Sequence, residues 1–600
     1  MNQYREGWVR VKIRNVLIKN FRSIKRAEFT IDNIAALVGE NNSGKTSVLR
    51  ALNAVFNYSD EEPYFKNESH KYSSRTNTYI TIRILDEYNS LGRKNFFKNG
   101  EIIIEFIYKY SNRKKSIVIK NSREIKLDDS KIDFMDELNK YLNYIYISTN
   151  RSDANTIWAE KSLFKRLLVS YMNKHTERRD RLSSSVKKSS NKIYENALKQ
   201  LEIQLDKLHL QNKPIEYKLN FDNNIDYLSL LDKVNISISN NGDSFLIRDW
   251  GSGTKSLAII AMHRALAQIN GSSIVLGIEE PEMNLHPQAQ KRFIQSLKES
   301  IEEGNNEVQT LFTTHSTVLI DELQPEQVLL VKRVTDCIRK KRVTDRIRKF
   351  HSEVHYLSKD FWEKSGISYS GYKNFYDVRN SEFYFSKYVI ICESPIDEKV
   401  IRYLIEDSLS SALADVSIIN LGGIKNLNYA IYLLRDLEIP FVTVLDKDFF
   451  FDYKNDDLES SRDTKGFPRY KNSITTDPQK RKVINDFVKS RNVETAERHF
   501  DQYRLLWNDL ADDRFLVMKY SLEVDLILSR HACNEYLELL NKSDSDNITK
   551  TLLCDCKKSI KNRENILWVL NTLEPREYPE SYKKIKNFII KDIKKHINNK

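Results

Sequence analysis

Eight consecutive residues, Gly39-Glu40-Asn41-Asn42-Ser43-Gly44-Lys45-Thr46, have the types and the spacing to hold a chain of phosphates. The two glycines let the backbone wrap close to an anion, so that successive N–H groups and the start of a helix face phosphate oxygens. In this G-x-x-x-x-G-K-[ST] pattern Lys45 would reach the β- and γ-phosphates, and the Thr46 hydroxyl would ligate Mg²⁺. Gly39, Asn41, Asn42, Gly44 and Ser47 would form the rest of the cradle. The setting agrees, with an apolar strand pattern at Ile34–Val38 before the loop and a helical pattern at 47–52 after it. An ordinary glycine turn before a surface helix would need neither the lysine nor the threonine. The stretch predicts binding of a nucleoside triphosphate, ATP.

Three further stretches could complete such a site. The apolar run 274–278 ends in Glu279-Glu280, a Walker B arrangement. Glu279 would hold Mg²⁺ through water, and Glu280 would polarise the attacking water. The turn Pro281-Glu282-Met283-Asn284-Leu285-His286-Pro287 that follows argues against a merely solvated strand end. The run 309–314 is another buried strand pattern, and His315 at its end resembles the switch position that senses the γ-phosphate in ABC-type ATPases. Trp250-Gly251-Ser252-Gly253-Thr254-Lys255-Ser256-Leu257 precedes a helical pattern. There Ser252 and Gly253 could present N–H groups to nucleotide held by another subunit.

A second set of acids lies far along the chain. The runs 388–392, 416–421 and 441–445 are apolar strands, followed by Glu393 and Asp397, by Gly422-Gly423, and by Asp446-Lys447-Asp448. Helical patterns at about 397–413 and 424–437 separate them. Such alternation predicts a parallel sheet whose strand C-termini bring the acids to one edge. Four crowded carboxylates repel one another unless cations neutralise them. Glu393, Asp397, Asp446 and Asp448 are therefore expected to hold Mg²⁺ or Mn²⁺. Hard oxygen donors without His or Cys suit two-metal phosphoryl transfer.

The elements that must position these residues exceed one core: 600 residues predict several domains. Strand patterns fill 9–38 and recur at 79–85, 101–110, 116–119 and 144–148. Residues 155–215 read as helical and polar. Ile193, Leu198, Leu201, Leu205 and Leu208 mark one face there, open either to core packing or to a contact joining two protomers. Residues 332–340 are repeated almost unchanged as 341–349, a duplication expected to lengthen a terminal hairpin and rich enough in basic residues to touch a phosphate backbone. The expected division is an ATPase domain over 1–350, a linker at 351–385, an acid-bearing domain at 386–530 and a helical, basic region at 531–600.

Composition sets outer bounds. With 30 % charged and 40 % hydrophobic residues and no apolar run of about 18 residues, the chain reads as soluble, with no membrane partner. The first residues lack an apolar leader, and the five scattered cysteines suit reduced thiols, so a cytoplasmic location is expected. A net charge of +13 favours a polyanionic partner.

A strand, the turn Asn20-Phe21-Arg22-Ser23, a second strand and then the phosphate loop resemble the opening of RecF- and SMC-type ABC ATPases, where the residue matching Arg22 lies near the nucleotide. The strand ending in Glu393, the Gly-Gly turn and Asp446-x-Asp448 resemble a TOPRIM domain. Both in one chain resemble the OLD (overcoming lysogenization defect) family of ATP-dependent nucleases, which includes the nuclease of the Gabija anti-phage system and retron-associated nucleases. The resemblance implies an α/β chain: an ABC-type ATPase with a helical insertion, a TOPRIM domain with a Rossmann-like parallel sheet, and a helical C-terminal region. It implies metal-dependent cutting of double-stranded DNA, a homodimer or higher oligomer, and a helicase-like or retron reverse-transcriptase partner. It adds Glu523 and Asp525 of Leu522-Glu523-Val524-Asp525-Leu526 as metal ligands, and a catalytic lysine near the C-terminus, taken as Lys550. Ser394 and Ile396 depart from the usual Gly and Thr of the family's turn. A RecF- or SMC-like repair ATPase with a non-catalytic TOPRIM fold is the alternative, and a primase or topoisomerase ranks below it.

Overall fold

The computed structural model describes residues 11–149, 215–221, 234–246, 272–366 and 380–598 with short gaps, and isolated helical positions between 258 and 265. The chain forms two units, Met1–Tyr356 and Leu357–Lys600. Residues 155–214, with the expected helical insertion, and Ser252 and Gly253 lie outside the described residues. Among the described residues no helix is long and apolar enough to cross a membrane.

Strands of the first unit are β1 (Val11–Phe21), β2 (Ile24–Thr30), β3 (Ile34–Val38), β4 (Thr78–Asp86), β5 (Glu101–Lys109), β6 (Lys114–Ile119), β7 (Ile125–Leu127) and β8 (Leu142–Ile147). They continue as β9 (Ile215–Phe221), β10 (Val234–Asn240), β11 (Asp243–Leu246), β12 (Ser273–Glu279), β13 (Val308–Thr313), β14 (Val328–Arg339) and β15 (Arg346–His355). Twelve of them form one sheet in the order β7-β6-β5-β4-β1-β2-β15-β14-β3-β13-β12-β8, and β9 to β11 form a separate one. The half from β14 to β8 is parallel, so the C-terminal ends of β3, β12 and β13 open on one edge. Each of those strands is almost wholly buried, as parallel strands covered on both faces must be. From β1 through β7 the neighbours are antiparallel and burial alternates along β4 and β5, the mark of a sheet with one dry face.

Two contacts lock the phosphate-loop helix, Lys45–Phe56, to this sheet. Tyr144 on β8 donates to the Leu49 carbonyl at 2.9 Å and stacks on Phe56. It crosses β12 only because position 277 is glycine: a Cβ there would meet the Tyr144 hydroxyl at 2.0 Å. On the helix's other side Glu61 accepts from Arg50, Asn53 and His70. Burial alone would raise the Glu61 pKa, but these hydrogen bonds hold it below the usual value.

The second unit is built on β16 (Tyr388–Cys392), β17 (Val416–Asn420), β18 (Phe441–Leu445) and β21 (Phe515–Val517), ordered β17-β16-β18-β21 and all parallel. The polar segment between β18 and β21 folds as the pair β19 (Phe451–Tyr453) and β20 (Tyr470–Ile474) followed by three helices. Two expected boundaries need correction. Strand β15 pairs with β14 as far as His355, so 351–355 belongs to the first unit and not to a linker. The C-terminal helices are part of the second unit: in helix Glu580–Asn598, Asp592 accepts from Tyr388 of β16, and buried Tyr582 donates to the Leu522 carbonyl at 2.9 Å.

Candidate functional site

In the first unit the phosphate loop leaves β3 at Gly39 and enters the helix at Gly44, with φ of 135° and 107°. At such angles a side chain is strained, which is why both positions are glycine. Asn42, at φ 61°, completes the curve, and Asn41 and Asn42 are exposed. Lys45 is buried within its own loop, and its ammonium donates to the carbonyls of Gly39 and Glu40 at 2.9 and 2.8 Å. Burial pulls its pKa down to about 8 against the pull of Glu280, Glu282 and Glu40. Thr46 stands beside it at the helix start. The Ser47 hydroxyl is buried and lies 3.3 Å from that of Ser23, so it braces the loop against the β1–β2 turn. In that turn Arg22, at φ 50°, feels the charges of Glu61 and Glu279.

The two Walker B acids are placed differently. Glu279 is buried, accepting from the Tyr146 hydroxyl at 2.8 Å and from the Thr149 N–H at 3.2 Å. Its carboxylate is engaged on both oxygens and ties the end of β8 to β12. Glu280 turns outward at φ 42°, its N–H bonded to the Thr313 carbonyl at 3.0 Å. Such an angle is costly for a non-glycine residue and is typical of positions held for function. Glu282, assigned no role from the sequence, accepts from the His315 N–H at 2.7 Å. Burial raises its carboxyl pKa, while burial and the Lys45 cation lower that of the His315 imidazole. Lys45, Glu280, Glu282 and His315 thus form one interacting set at the ends of β3, β12 and β13. The Pro-Glu pair after the acids was the visible signal for Glu282.

In the second unit Glu393 follows β16, Asp446 and Asp448 follow β18, and Glu523 lies in the short helix Leu522–Leu526 after β21. All four line one cavity of about 640 Å³. Asp446 keeps some surface on the cavity but lies deep among protein atoms. Burial, then repulsion from Glu523, Asp397, Asp448 and Glu393, drives its pKa well above the carboxylate range. Burial and the charges of Asp448 and Asp397 push Glu393 to about 7. Asp448 is steadied by the Tyr453 hydroxyl at 3.1 Å, and Lys480 donates to its carbonyl at 2.7 Å. Between the two aspartates the buried Lys447 ammonium sits 4.0 Å from the Phe500 ring centre, while its N–H donates to the Tyr520 carbonyl. That bond ties the Asp446 turn to the segment carrying Glu523.

Three expected residues, Asp397, Asp525 and Lys550, do not line this cavity. Asp397 and Ser394 cap the helix Pro395–Leu409 reciprocally: Asp397 accepts from the Ser394 N–H at 2.9 Å, and Ser394 from the Asp397 N–H at 3.3 Å. Its charge still reaches Glu393 and Asp446, but one oxygen is committed to the cap. Asp525 is fully buried, accepting from the N–H groups of Lys519 and Tyr520 at 2.8 Å each. Glu523 and Asp525 are two residues apart on a helix, about 200° around its axis, so they cannot share a ligand. Lys550 is exposed and absent from the cavity wall. The cations there are Arg462, Lys557, Lys558 and Lys561, and the Lys561 ammonium lies 3.0 Å from the Glu523 carboxylate.

Among the described residues no three His, Cys, Asp or Glu side chains stand close enough to hold a metal ion between them as placed. The carboxylates ring the cavity instead. The donor set nevertheless fits a hard divalent cation: it is all oxygen, half-buried and mutually repelling, and added positive charge would relieve that repulsion.

Comparison with known proteins agrees with this division. Residues 34–321 match the family described as an AAA domain of the AbiEii toxin, type IV toxin–antitoxin system kind. Residues 384–448 match the overcoming lysogenization defect protein-like TOPRIM domain. An OLD nuclease of Thermus scotoductus is 26 % identical over 205 residues, 33 % of this chain and 36 % of that protein. Endonuclease GajA of Bacillus cereus is 21 % identical over 330 residues, 54 % of this chain and 46 % of that protein. The chain thus spans under half the length of each of these curated relatives. A solved SMC head bound to the C-terminal winged helix of ScpA aligns at 18 % identity over 58 % of this chain and 98 % of that one, with a TM-score of 0.40. The fold of this chain is a P-loop ATPase followed by a TOPRIM domain with a parallel sheet and a helical C-terminal region, architectures that in general use nucleotide and divalent metal. In this pairing of an ATPase with an OLD-like TOPRIM domain, the chain is similar to nucleases of the OLD family.

Proposed function

We propose that this protein is an ATP-hydrolysing, divalent-metal-dependent endonuclease of double-stranded DNA that acts in defence against phage. The observation that carries the reading is the gathering of Glu393, Asp446, Asp448 and Glu523 around one cavity that also holds Lys561. Glu393, Asp446, Asp448 and Glu523 would hold Mg²⁺ or Mn²⁺, which when bound supplies water activation and leaving-group stabilisation. Lys561 supplies positive charge where a scissile phosphate would gather negative charge, while Lys557 and Arg462 on the same wall are paired with Glu459. In the first unit Lys45 binds the phosphates, Glu280 orients the attacking water, and Glu282 fixes the backbone at His315.

The retained acids favour a working nuclease over a repair ATPase with a silent TOPRIM fold. A homodimer, joined through 155–215 or through Ser252 and Gly253, is part of the proposal. So are a helicase-like or reverse-transcriptase partner and a cytoplasmic location, which the family resemblance alone supports. Plasmid cleavage in Mg²⁺ or Mn²⁺ tests the reading. Asp446→Ala should abolish nicking and leave ATP hydrolysis intact, and undiminished cutting by that variant would place the nuclease site elsewhere.

A further inference from the structure

Glu459 lines the same cavity as the four acids, yet both of its oxygens are held by cations. Arg462 donates to it through Nε at 3.1 Å and through Nη2 at 3.2 Å, one bond to each oxygen. The Lys557 ammonium lies 2.5 Å from Oε2. Hydrogen bonds from Arg462 and Lys557 pull the Glu459 carboxyl down to about 2, so it enters the contact as an anion. The guanidinium does not depend on Glu459 for its place. Only 11 % of the Arg462 side chain is exposed, its Nη1 donates to the Gly466 carbonyl at 2.6 Å, and its backbone bridges to Pro468. Asp463 closes the turn between them, accepting from the N–H groups of Lys465 and Phe467 at 2.8 Å each. Glu459 is the looser partner: its side chain is 53 % exposed, and residues 454–457 and 460 around it are exposed too.

A guanidinium fork with an ammonium beside it, closed on two oxygens of one anion, holds a phosphate as well as it holds a carboxylate. The surroundings favour a phosphate. A nucleic-acid strand carries a negative charge at every nucleotide, so a strand cut at the acids also brings in the phosphates next to the cut. Those need cations, and an ionised carboxylate left among them would repel the strand. Exchange resolves the conflict. Two phosphate oxygens can take over the bonds that Glu459 now accepts, and the displaced side chain has water to enter. An ion pair half open to solvent contributes little to stability, so little opposes the exchange.

We propose that Arg462 and Lys557 form a subsite for a phosphate of the nucleic-acid strand adjacent to the one that is cut, and that Glu459 fills it as an internal surrogate until the strand displaces it. The choice of nucleic acid rests on the nuclease reading; the cation pair and its carboxylate do not. Binding is read by fluorescence anisotropy with a labelled duplex of about 20 base pairs, using the full chain carrying Asp446→Ala in EDTA. A chain that cuts nothing can still give the expected pattern there, so failure of the subsite and failure of the nuclease reading are separable. Glu459→Gln should tighten binding by about 3- to 10-fold at roughly 0.1 M salt, because the competing anion is gone. Asp456→Asn, which removes the same charge from the same exposed stretch, should change affinity by less than about 2-fold. Arg462→Gln should weaken binding by about 5- to 20-fold and lower the slope of log Kd against log salt by about 1. In that background Glu459→Gln should no longer tighten binding. Should Arg462→Gln melt early for want of its bond to Gly466, Lys557→Gln reads the same subsite without touching that turn. A merely structural ion pair predicts unchanged or weaker binding by Glu459→Gln, and that result would overturn the proposal. So would equal tightening by Asp456→Asn, or undiminished binding by Lys557→Gln. A Glu459→Gln chain whose Tm rises with inorganic phosphate while its duplex affinity stays unmoved would mark a free-anion site and overturn it as well.

Discussion

The pKa of Glu393 carries a test that needs no substrate. A carboxyl raised to about 7 by burial and neighbouring acids stays protonated across a range where the unfolded chain has lost that proton. Without metal, its contribution to stability is full below the unfolded pKa and is lost as pH rises through about 7. A divalent cation must displace that proton, so binding weakens as pH falls. The Mn²⁺-induced rise in Tm should therefore grow from pH 5.5 to pH 8, and Glu393→Gln should flatten the profile. A rise independent of pH would remove Glu393 from the metal site. Lys561 gives a second test at this scale, since its ammonium meets Glu523 on the cavity wall and the coulombic pull of Glu523 raises its pKa. Lys561→Ala should slow DNA cleavage by about 10²- to 10³-fold, the usual cost of losing one placed stabiliser of developing charge. Lys550→Ala should stay within about 2-fold. The reverse order in initial rates would reinstate Lys550.

At the level of elements, chemistry was legible where a buried parallel strand ends in a polar residue. β3, β12, β13, β16 and β18 are apolar runs that stop at Gly39, Glu280, Thr314, Glu393 and Asp446, so position in the fold could be read from pattern. Glu523 and Lys561 follow no such rule. The strand before Glu523 has only three residues, and Lys561 sits in a basic tail where nothing in the spacing says which lysine faces the cavity. Asp525 was misread for a related reason: the sequence shows two acids, and only the helix shows that they point apart. Gly277 was silent as well, because its need comes from Tyr144 on another strand. Gly277→Ala should destabilise the first unit by about 1–3 kcal/mol in urea unfolding, the ordinary cost of overpacking. A loss below about 0.5 kcal/mol would mean that Tyr144 has room to move. Ser394→Ala removes half of a capping pair and should cost about 1 kcal/mol, loosening Glu393 next to it.

Across the described residues, the two candidate sites lie in different units. Among the described residues, the core under the phosphate loop runs from Val11 to Val331 and includes nothing from beyond Tyr356. Each ligand should therefore stabilise its own unit. A ligand at about 100 times its Kd adds roughly 2.7 kcal/mol to the fold that binds it, enough to move its Tm by several degrees. In calorimetry, ATP with Mg²⁺ should raise one transition, and Mn²⁺ without nucleotide should raise another. Lys45→Ala should erase the ATP-dependent shift and keep the Mn²⁺-dependent one, because Lys45 holds the loop carbonyls of the first unit and nothing in the second. Asp446→Ala should do the opposite. A single transition that both ligands raise together, and that either substitution makes unresponsive to both, would show the units to be one cooperative body. ATP would then act on the carboxylate cavity through the fold itself.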